Sequence, residues 1–357
     1  MTLLIDNQVS QQVLSMADCM EVLEQAFVEE IQGSAANRTK SNIHMPIPNS
    51  NNWYRYCSME GGIRGLGVVA IRIKSDVAGM MEENGVLRHW YYNMEPGKFF
   101  GLILLFSSHS GELLAILNDG VIQHMRVAAT SALGAQYSAR RDSSILAILG
   151  SGGMAETHAI SYSMVRQLKE IRVFSPNPNH RREFADKMSR KLNLPVTSYD
   201  DPETVVRGAD MVCACTDTSS PIIRDSWIEP GMHVATVVPT EIESKLYSRV
   251  DTYVRYRSGI PMNFFTTPED WRPPSLGGAD QSWAEIEKQL EDRTVPLGEV
   301  LISKKSVRKT EQDITFFNSE GTGVQFAATA WKVYENAKRL GLGKELPLEW
   351  FAQNIKN

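Results

Sequence analysis

The chain has 357 residues, of which 42% are hydrophobic and 22% charged, and its formal net charge is -5. This length predicts two domains, and this balance is typical of a soluble globular protein. The absence of a clustered Lys/Arg stripe argues against a nucleic-acid partner. No window approaches the roughly 18 apolar residues of a membrane span, and the N-terminus does not resemble a signal peptide. Four scattered cysteines indicate neither a disulfide framework nor a metal site, so we expect a cytoplasmic protein.

The first third of the chain predicts an antiparallel sheet with flanking helices. Helical periodicity covers residues 10–32, and the polar, proline-punctuated segment 37–52 is expected to be a loop. Strand-like apolar runs follow at residues 67–73, 99–106 and 113–117. The turn sequence His-Ser-Gly-Glu separates the last two runs, which therefore predict a hairpin.

The pattern changes near residue 126, where an alanine-rich helix is predicted over 127–140. Short apolar runs then alternate with helical stretches, and the strand candidates are 145–149, 171–174, 211–216, 233–238 and 252–257. Such alternation predicts a parallel sheet covered by helices on both faces. Residues 259–296, rich in Pro, Trp and acidic groups, indicate an insertion. A last helix over 324–340 ends at Gly341.

Residues 150–155 read Gly-Ser-Gly-Gly-Met-Ala, a G-x-G-x-x-A turn between an apolar strand and a helix. Gly150 permits the tight turn, Gly152 lets the backbone approach a pyrophosphate, and Ala155 allows close helix–strand packing. The helix start supplies free N–H groups to the phosphates. The alternative is a glycine-rich turn that only packs a helix on a strand, but the context favours NAD or NADP binding. Three more residues of the turn are assigned to this site: Ser151, Gly153 and Met154.

The residues after the second strand of this unit bear on the choice of cofactor. An NAD site usually places Asp or Glu here to accept hydrogen bonds from the ribose hydroxyls. This chain has Ser175, followed by Asn177 and Arg181. A carboxylate would repel a 2′-phosphate, whereas a hydroxyl, an amide and a guanidinium would bind one, so NADP is preferred over NAD. Alternatively, Arg181 and Arg182 are simply solvated in the first turn of a helix.

Thr216, Asp217 and Thr218 end another strand candidate. Ligands of parallel α/β sheets lie at the carboxyl ends of strands, so these residues are candidates to line the path of the cofactor. The alternative is an ordinary polar cap before Pro221. Four further residues are assigned to the cofactor site: Thr130, Val238, Ser319 and Gly321.

Four segments occur in a characteristic order: Gly-Glu-Leu-Leu-Ala-Ile-Leu at 111–117, Arg-Val-Ala-Ala-Thr-Ser-Ala at 126–132, the glycine turn, and Phe-Asn-Ser-Glu-Gly at 317–321. Together they resemble the ornithine cyclodeaminase/μ-crystallin family, over about residues 5–343.

The resemblance implies an α/β fold with a Rossmann-type parallel-sheet domain and a discontinuous α+β substrate and dimerisation domain. We assign residues 126–324, with the insertion at 259–296, to the first, and residues 1–125 and 325–357 to the second. The resemblance also implies a homodimer formed through the substrate-domain sheets. Its chemistry is hydride transfer between a nicotinamide and the α-carbon of an imino or amino acid.

Three cationic residues match the family locally: Arg38, Lys74 and Arg126. The resemblance implies that they hold the substrate carboxylate and polarise the imine. The chemistry is reasonable, because Arg binds a carboxylate with two hydrogen bonds and a Lys near an imine can stabilise charge or move a proton. Arg72 is a rival to Lys74 because the two share a strand face. The alternative for all of them is a surface ion pair.

Two departures from the family bear on the reaction. Cyclodeaminases carry an Asp after the fifth strand, where this chain has Thr240, or Glu241 if the register slips by one. Thr cannot serve as a carboxylate base, so plain reduction or oxidation is favoured over ammonia loss, and Glu241 is the candidate proton carrier. The second departure is Phe326, where the family often shows Asp.

The sequence therefore predicts an NAD(P)H-dependent oxidoreductase that acts on the C=N bond of an imino acid, or on the reverse amine, with keto acids as related ligands. The first rival is a cyclodeaminase that recycles a tightly held NAD. The second is a protein that binds the nucleotide without catalysis. Two aromatic segments, 53–56 and 88–92, are either pocket walls or core and interface filler, and His124 is either a proton donor or a packed histidine.

Overall fold

The computed structural model describes residues 1–83, 86–238, 241–256, 263–273, 279–319 and 321–355. The strands are β1 (Thr2–Ile5), β2 (Ala35–Asn37), β3 (Ser41–Pro46), β4 (Trp53–Ile63), β5 (Val68–Glu83), β6 (Val86–Tyr92), β7 (Gly101–Ser107), β8 (Leu113–Asn118), β9 (Ile145–Leu149), β10 (Glu170–Phe174), β11 (Val196–Ser198), β12 (Met211–Ala214), β13 (His233–Thr236), β14 (Thr252–Arg255), β15 (Asn263–Thr266), β16 (Thr294–Pro296), β17 (Thr315–Asn318) and β18 (Lys344–Leu346). The α-helices are α1 (Asn7–Val13), α2 (Met16–Ile31), α3 (Gly120–Ser138), α4 (Gly153–Val165), α5 (Pro178–Leu192), α6 (Pro202–Val206), α7 (Ala279–Leu290), α8 (Leu297–Ser303) and α9 (Gly323–Leu340).

The first sheet consists mainly of strands from the start of the chain, in the order β15-β3-β4-β5-β7-β8-β1-β18, with β2 beside β4 and β6 beside β5. Most neighbours are antiparallel, and β7 and β8 form the predicted hairpin. Alternate residues of these two strands, among them Ile103, Leu105 and Leu117, are completely buried. They face inward, and α9 covers the same sheet at β4 and β5 while also packing on α2.

The second sheet is parallel throughout and has the order β11-β10-β9-β12-β13-β17-β14-β16. Its first five strands follow the order of a Rossmann fold, and β17, the last strand of this sheet along the chain, takes the sixth place. Leu146 to Leu149 are fully buried, as expected for a strand covered on both faces. The parallel sheet predicted from the βαβ alternation is therefore confirmed.

The helix predicted over residues 10–32 is two helices, α1 and α2. The break falls at Leu14 and Ser15, which have extended backbone conformations. Ser15 caps α2 in a reciprocal arrangement with Asp18, which satisfies amides at the start of the new helix.

The loop predicted over residues 37–52 is wrong, because it contains β3. The inward positions of this strand are polar: Asn42 and His44 are both buried. A strand with polar residues on its buried face does not show the usual alternation of hydrophobic and polar residues, and the pattern was therefore not recognised.

Two other segments differ from expectation in their extent. The strand predicted over residues 67–73 continues to Glu83, so that β5 and β6 form a long hairpin. Within the insertion 259–296, β15 joins the first sheet beside β3, whereas β16 joins the second sheet beside β14. The insertion thus contacts both sheets.

Candidate active site

The glycine turn after β9 has the geometry that its sequence predicts. Gly150 has φ +123°, and a Cβ at this position would lie 2.4 Å from the carbonyl oxygen of Cys215. At Gly152 a Cβ would meet no atom within 4 Å, so the backbone there is open to a ligand. Helix α4 begins directly afterwards without a side-chain cap. Its first N–H groups are therefore available to an anion.

Residues from five strand ends meet at one edge of the second sheet. Because β9, β10, β12, β13 and β17 are parallel, their carboxyl ends lie along the same side. The predicted cofactor residues that directly follow these ends are Gly150 to Met154, Ser175, Thr216 to Thr218, Val238 and Ser319. The hydroxyl of Ser151 donates to that of Ser175 at 2.9 Å, which links two of these loops.

The side chains after β10 are already engaged. Arg181 is buried and donates to the carbonyl oxygen of Ser175 at 3.0 Å and to the carboxylate of Asp200. The amide oxygen of Asn177 caps α5 by accepting from two backbone N–H groups. Arg182, in contrast, is exposed. Of the two arginines after β10, only Arg182 is therefore exposed, and Arg181 is not simply solvated.

Glu241 holds two strand ends together. Its side chain is fully buried and accepts from the N–H and hydroxyl of Thr216 at 2.8 and 2.7 Å. The other oxygen accepts from the N–H groups of Val237 and Val238 at 2.9 and 3.1 Å. Burial raises the pKa of Glu241, and these hydrogen bonds oppose that shift. The alternative position, Thr240, lies outside the described residues.

The long β5–β6 hairpin reaches the nucleotide-binding edge. The N–H of His89 donates to the carbonyl oxygen of Asp217 at 3.3 Å, and Arg88 pairs with Thr218 in an isolated bridge. The guanidinium of Arg88 also lies 3.8 Å from the Asp217 carboxylate. The hairpin therefore brings the inward face of the first sheet next to the strand ends of the second.

Arg126 lies near the start of α3, where the two sheets meet. It is 4% exposed and donates to the amide oxygens of Gln325 and Gln123 at 2.9 and 2.8 Å. A Cβ at Gly321 would lie 3.1 Å from its guanidinium, so the predicted residue Gly321 is beside it. Thr130 is fully buried in α3, where its hydroxyl accepts from Gln325 and donates to the carbonyl of Arg126. The hydroxyl of Thr130 thus links the side chain of Gln325 to the backbone carbonyl of Arg126.

Arg72 and Asp119 form a buried ion pair on the inward face of the first sheet. Their closest atoms are 2.6 Å apart, and the side chains are 5% and 9% exposed. The ring of Phe326 lies between Arg72 and Arg126, with guanidinium carbons 5.1 and 4.8 Å from its centroid. An aromatic face attracts cations without neutralising them. Burial and the charge of Arg72 lower the pKa of Arg126 to about 9.

Lys74 belongs to a second charged cluster on the same face. Its Nζ lies 3.2 Å from the carboxylate of Asp76, which also accepts from Arg55 at 2.7 Å. Tyr91 covers both cations, with its ring centroid 4.2 Å from Arg55 and 5.3 Å from Lys74. Burial lowers the pKa of Lys74, and the charge of Asp76 opposes that shift.

Arg38 is the most exposed of the predicted substrate residues. Its backbone N–H donates to the carbonyl oxygen of Glu60, and the neighbouring Asn37 accepts from the N–H of Val324 at the start of α9. Arg38 therefore lies beside the helix start that follows Gly321. The next inward-facing cation along the chain is Lys40, which is partly buried.

Sequence reasoning missed four polar residues of this face: Lys40, His44, Arg55 and Asp76. The signal that could have found the first two is the spacing of polar residues at 40, 42 and 44, which is the period of a strand. Arg55 lies in one of the aromatic segments that were considered as pocket walls, and Tyr91 lies in the other.

A cavity of about 940 Å³ lies at the opposite edge of the second sheet, lined by Arg140, Arg166 and Arg308 among others. The guanidinium groups of these three residues bond to other groups of the protein. Arg166 and Arg308 donate to backbone carbonyl oxygens, and Arg140 pairs with Asp210. The amino ends of parallel strands are also the wrong edge for a Rossmann ligand, so this cavity is not the candidate active site.

No helix in the described part of the chain is long and apolar enough to cross a membrane. Within the same residues, no group of three or more His, Cys, Asp or Glu side chains is arranged to hold a metal ion.

The fold and the glycine turn define a nucleotide-binding protein of the Rossmann type. The sequence model of the ornithine cyclodeaminase/mu-crystallin family matches residues 97–341. The chain belongs to this family, as the sequence resemblance predicts.

Several characterised relatives are similar over nearly the whole chain. A Delta(1)-pyrroline-2-carboxylate reductase from Bacillus cereus is 24% identical over 339 residues, which cover 93% of this chain and 96% of that protein. The structure of the Thermococcus litoralis Delta(1)-pyrroline-2-carboxylate reductase with NADH and L-proline superposes with a TM-score of 0.79 and 22% identity, covering 97% of this chain and 100% of that one. An archaeal alanine dehydrogenase dimer with bound NAD gives 0.77 and 19%, covering 97% and 99%. The overall fold is therefore shared.

Proposed function

We propose that this protein is an NAD(P)H-dependent oxidoreductase that transfers hydride at the C=N or CH–NH bond of an imino or amino acid. The observation that carries the proposal is that the uncapped start of α4 at Gly152 and the charged sheet face that holds Lys74 lie on the same side of the molecule, at the carboxyl ends of the second sheet. The His89–Asp217 contact joins these two regions.

The turn fits a dinucleotide because a diphosphate needs backbone N–H groups and room at Gly152, and both are present. When bound, the nicotinamide supplies the hydride that the imine carbon accepts. The lack of a carboxylate at position 175 supports a preference for NADP. Arg181 is bonded to Ser175 and Asp200, so the side-chain amide nitrogen of Asn177 and the guanidinium of Arg182 are the polar groups left for a 2′-phosphate. The solved relatives are described with NADH or NAD.

We assign the substrate carboxylate to Arg126, whose partners are neutral amides and whose charge is therefore not balanced by them. Arg38 is the second candidate for this carboxylate, and Arg72 helps to set the local charge. Lys74 lies on the same inward face as Arg72 and would deliver a proton to the substrate nitrogen as the carbon accepts hydride. The products are then an amino acid and the oxidised nucleotide.

Ammonia loss is disfavoured by the residues after β13. Thr240 occupies the position at which cyclodeaminases carry Asp, and the nearby carboxylate of Glu241 is bonded to Thr216, Val237 and Val238. We propose that Glu241 acts by holding these loops, and its predicted role as a proton carrier is the alternative to be tested.

The division into domains follows the two sheets in this proposal, except that β15 of the insertion belongs to the first sheet. A homodimer through the first sheet is supported by apolar side chains on its outer face, where Leu4, Ile43 and Val69 are about 40% exposed. A cytoplasmic location is supported by four free cysteines, all buried.

The test follows the consumption of NADH and of NADPH with cyclic imino acids, and with 2-oxo acids plus ammonia or methylamine. We expect turnover that Lys74→Met lowers by about 10²–10⁴-fold, the usual contribution of a proton-transferring residue. The exposed Lys191→Met is the matched control and should behave as wild type. Ornithine without added nucleotide should yield no proline or ammonia; if it did, the cyclodeaminase alternative would replace this proposal.

A further inference from the structure

The inward face of the first sheet presents polar residues in two aligned rows. The strand register places Asn42, Cys57 and Lys74 in one row across β3, β4 and β5. His44, Arg55 and Asp76 form the next row. Residues opposite each other in a sheet share a face, so both rows point inward, and Lys40 precedes Asn42 by two positions on the same side.

The carboxylates of this region neutralise only part of its positive charge. Asp119 is paired with Arg72. Asp76 is shared between Arg55 and Lys74, which leaves one negative charge for two cations. One more cation than carboxylate thus remains in these two clusters.

Two further cations face the same region without a carboxylate. Arg126 donates to neutral amide oxygens and lies over the ring of Phe326. The backbone carbonyl of Lys40 accepts from the N–H of Asn263, but its side-chain amine has no hydrogen bond or ion pair with any residue that the structure describes. The positive charges of Arg55, Arg72 and Arg126 act on Lys40 and, with burial, lower its pKa. A single α-carboxylate on the substrate would therefore leave the site strongly cationic.

Buried donors without acceptors lie near Lys40. Among the described residues, the Nδ2 of Asn42, the Nε of Arg55 and both ring nitrogens of His44 have no hydrogen-bond partner. Burial and the charges of Arg55 and Lys40 hold the pKa of His44 at about 4, so its ring is neutral and carries one N–H. The Oδ1 of Asp76 and the unprotonated ring nitrogen of His44 are unpartnered acceptors in these rows. Unpaired buried donors are unfavourable and indicate a missing acceptor.

We infer that the substrate carries a second carboxylate, which binds at the β3 end of this face to Lys40 and the side chains of Asn42 and His44. The substrate class is then a short imino dicarboxylate, or the corresponding amino dicarboxylate. This inference rests on the proposed function for the assignment of the first carboxylate to Arg126. The charge of Arg126 is among those that act on Lys40, so the two cations face one region of the site.

The test measures binding, so that it does not depend on turnover. Full-length protein saturated with NADH is titrated with succinate and glutarate, and with butyrate and valerate as monocarboxylates of matched length. We expect the dicarboxylates to bind about tenfold or more tightly, the effect of one additional charge-assisted contact. Lys40→Met should remove most of this preference, Lys40→Arg should restore it, and the exposed Lys191→Met should leave it unchanged.

The outcomes separate this inference from the proposed function. Equal affinity for the two series, no binding of either, or a preference that survives in Lys40→Met would overturn the inference. Lys40→Met should fold with an unchanged or higher Tm because it removes a cation that has no partner, and Lys40→Gln provides a second neutral variant. A dicarboxylate preference without nucleotide oxidation on any substrate would leave the inference standing and refute the proposed reaction.

Discussion

The two regions that form the candidate site differ in how their polar groups are satisfied. At the strand ends of the second sheet, side chains bond to one another: Ser151 to Ser175, and Glu241 to Thr216. Around the inward face of the first sheet, Lys40 and the helix residue Arg126 form no ion pair with a carboxylate in the described part of the chain. The polar groups of Ser151, Ser175, Thr216 and Glu241 therefore have partners before a ligand binds, whereas the excess charge of the second region is balanced only when an anion is present.

This difference suggests how each region should respond to substitution. A self-satisfied region loses stability when one member is removed, since buried donors are left unpaired. A region with excess charge loses ligand affinity or changes its pH response, with smaller consequences for folding. The following predictions test this contrast, beginning with the largest expected effect.

Glu241→Ala should lower the free energy of unfolding by about 3 kcal/mol, because it leaves partly buried donors of Thr216, Val237 and Val238 without their acceptor. Denaturant unfolding measures the change. Glu203→Ala is the control, since Glu203 is in an exposed helical ion pair that contributes little. If Glu241→Gln instead abolished turnover at unchanged stability, Glu241 would be the proton carrier after all.

Gly150→Ala and Gly152→Ala should separate folding from binding within the same turn. At Gly150 the positive φ and the close carbonyl of Cys215 predict a loss of about 3 kcal/mol of stability. At Gly152 a Cβ has space in the protein but would meet the diphosphate, so stability should hold while affinity for NADPH and NADH falls about tenfold or more. Unfolding curves and nucleotide titrations check both. Normal nucleotide affinity in Gly152→Ala would argue against the proposed position of the diphosphate.

Asp76→Asn should have the smallest effect on turnover at low pH, and its signature should appear in the pH profile. Burial places the pKa of Lys74 below its usual 10.5, and the negative charge of Asp76 raises it again. Because the protonated amine is the active form in the proposed reaction, kcat/KM should decline as pH rises through this lowered pKa. Removing the charge of Asp76 lowers that pKa further, and the alkaline limb should move to lower pH.

The control for this profile is Asp142→Asn, a substitution at an exposed carboxylate on the far edge of the second sheet. Its alkaline limb should coincide with that of wild type. If the alkaline limb of kcat/KM in Asp76→Asn fell at the same pH as in wild type, Lys74 would not control the pH dependence.

The same contrast explains what the sequence could predict. The nucleotide-binding turn is contiguous, and each of its residues has a steric or hydrogen-bonding reason that is local. Five of its strands, β9, β10, β12, β13 and β14, match the predicted runs within a few residues, because buried parallel strands are continuous apolar runs. The sequence did not predict β11, β16 and β17 as strands.

The substrate side could be predicted only in part. Lys74 and Arg126 were found through the family resemblance, and Arg72 as a neighbour on the same strand face. His44, Arg55 and their register with Asp76 depend on the pairing of three strands, which no local pattern specifies. The partner of Arg72, Asp119, lies 47 positions away along the chain.

The β5–β6 hairpin has a mechanical consequence. It belongs to the first sheet, yet its second strand is bonded through His89 to Asp217 at the nucleotide-binding edge. Any hinge motion that widens the gap between the sheets along this edge has to break that bond and separate Arg88 from Asp217. These contacts therefore restrain separation of the two sheets along this edge.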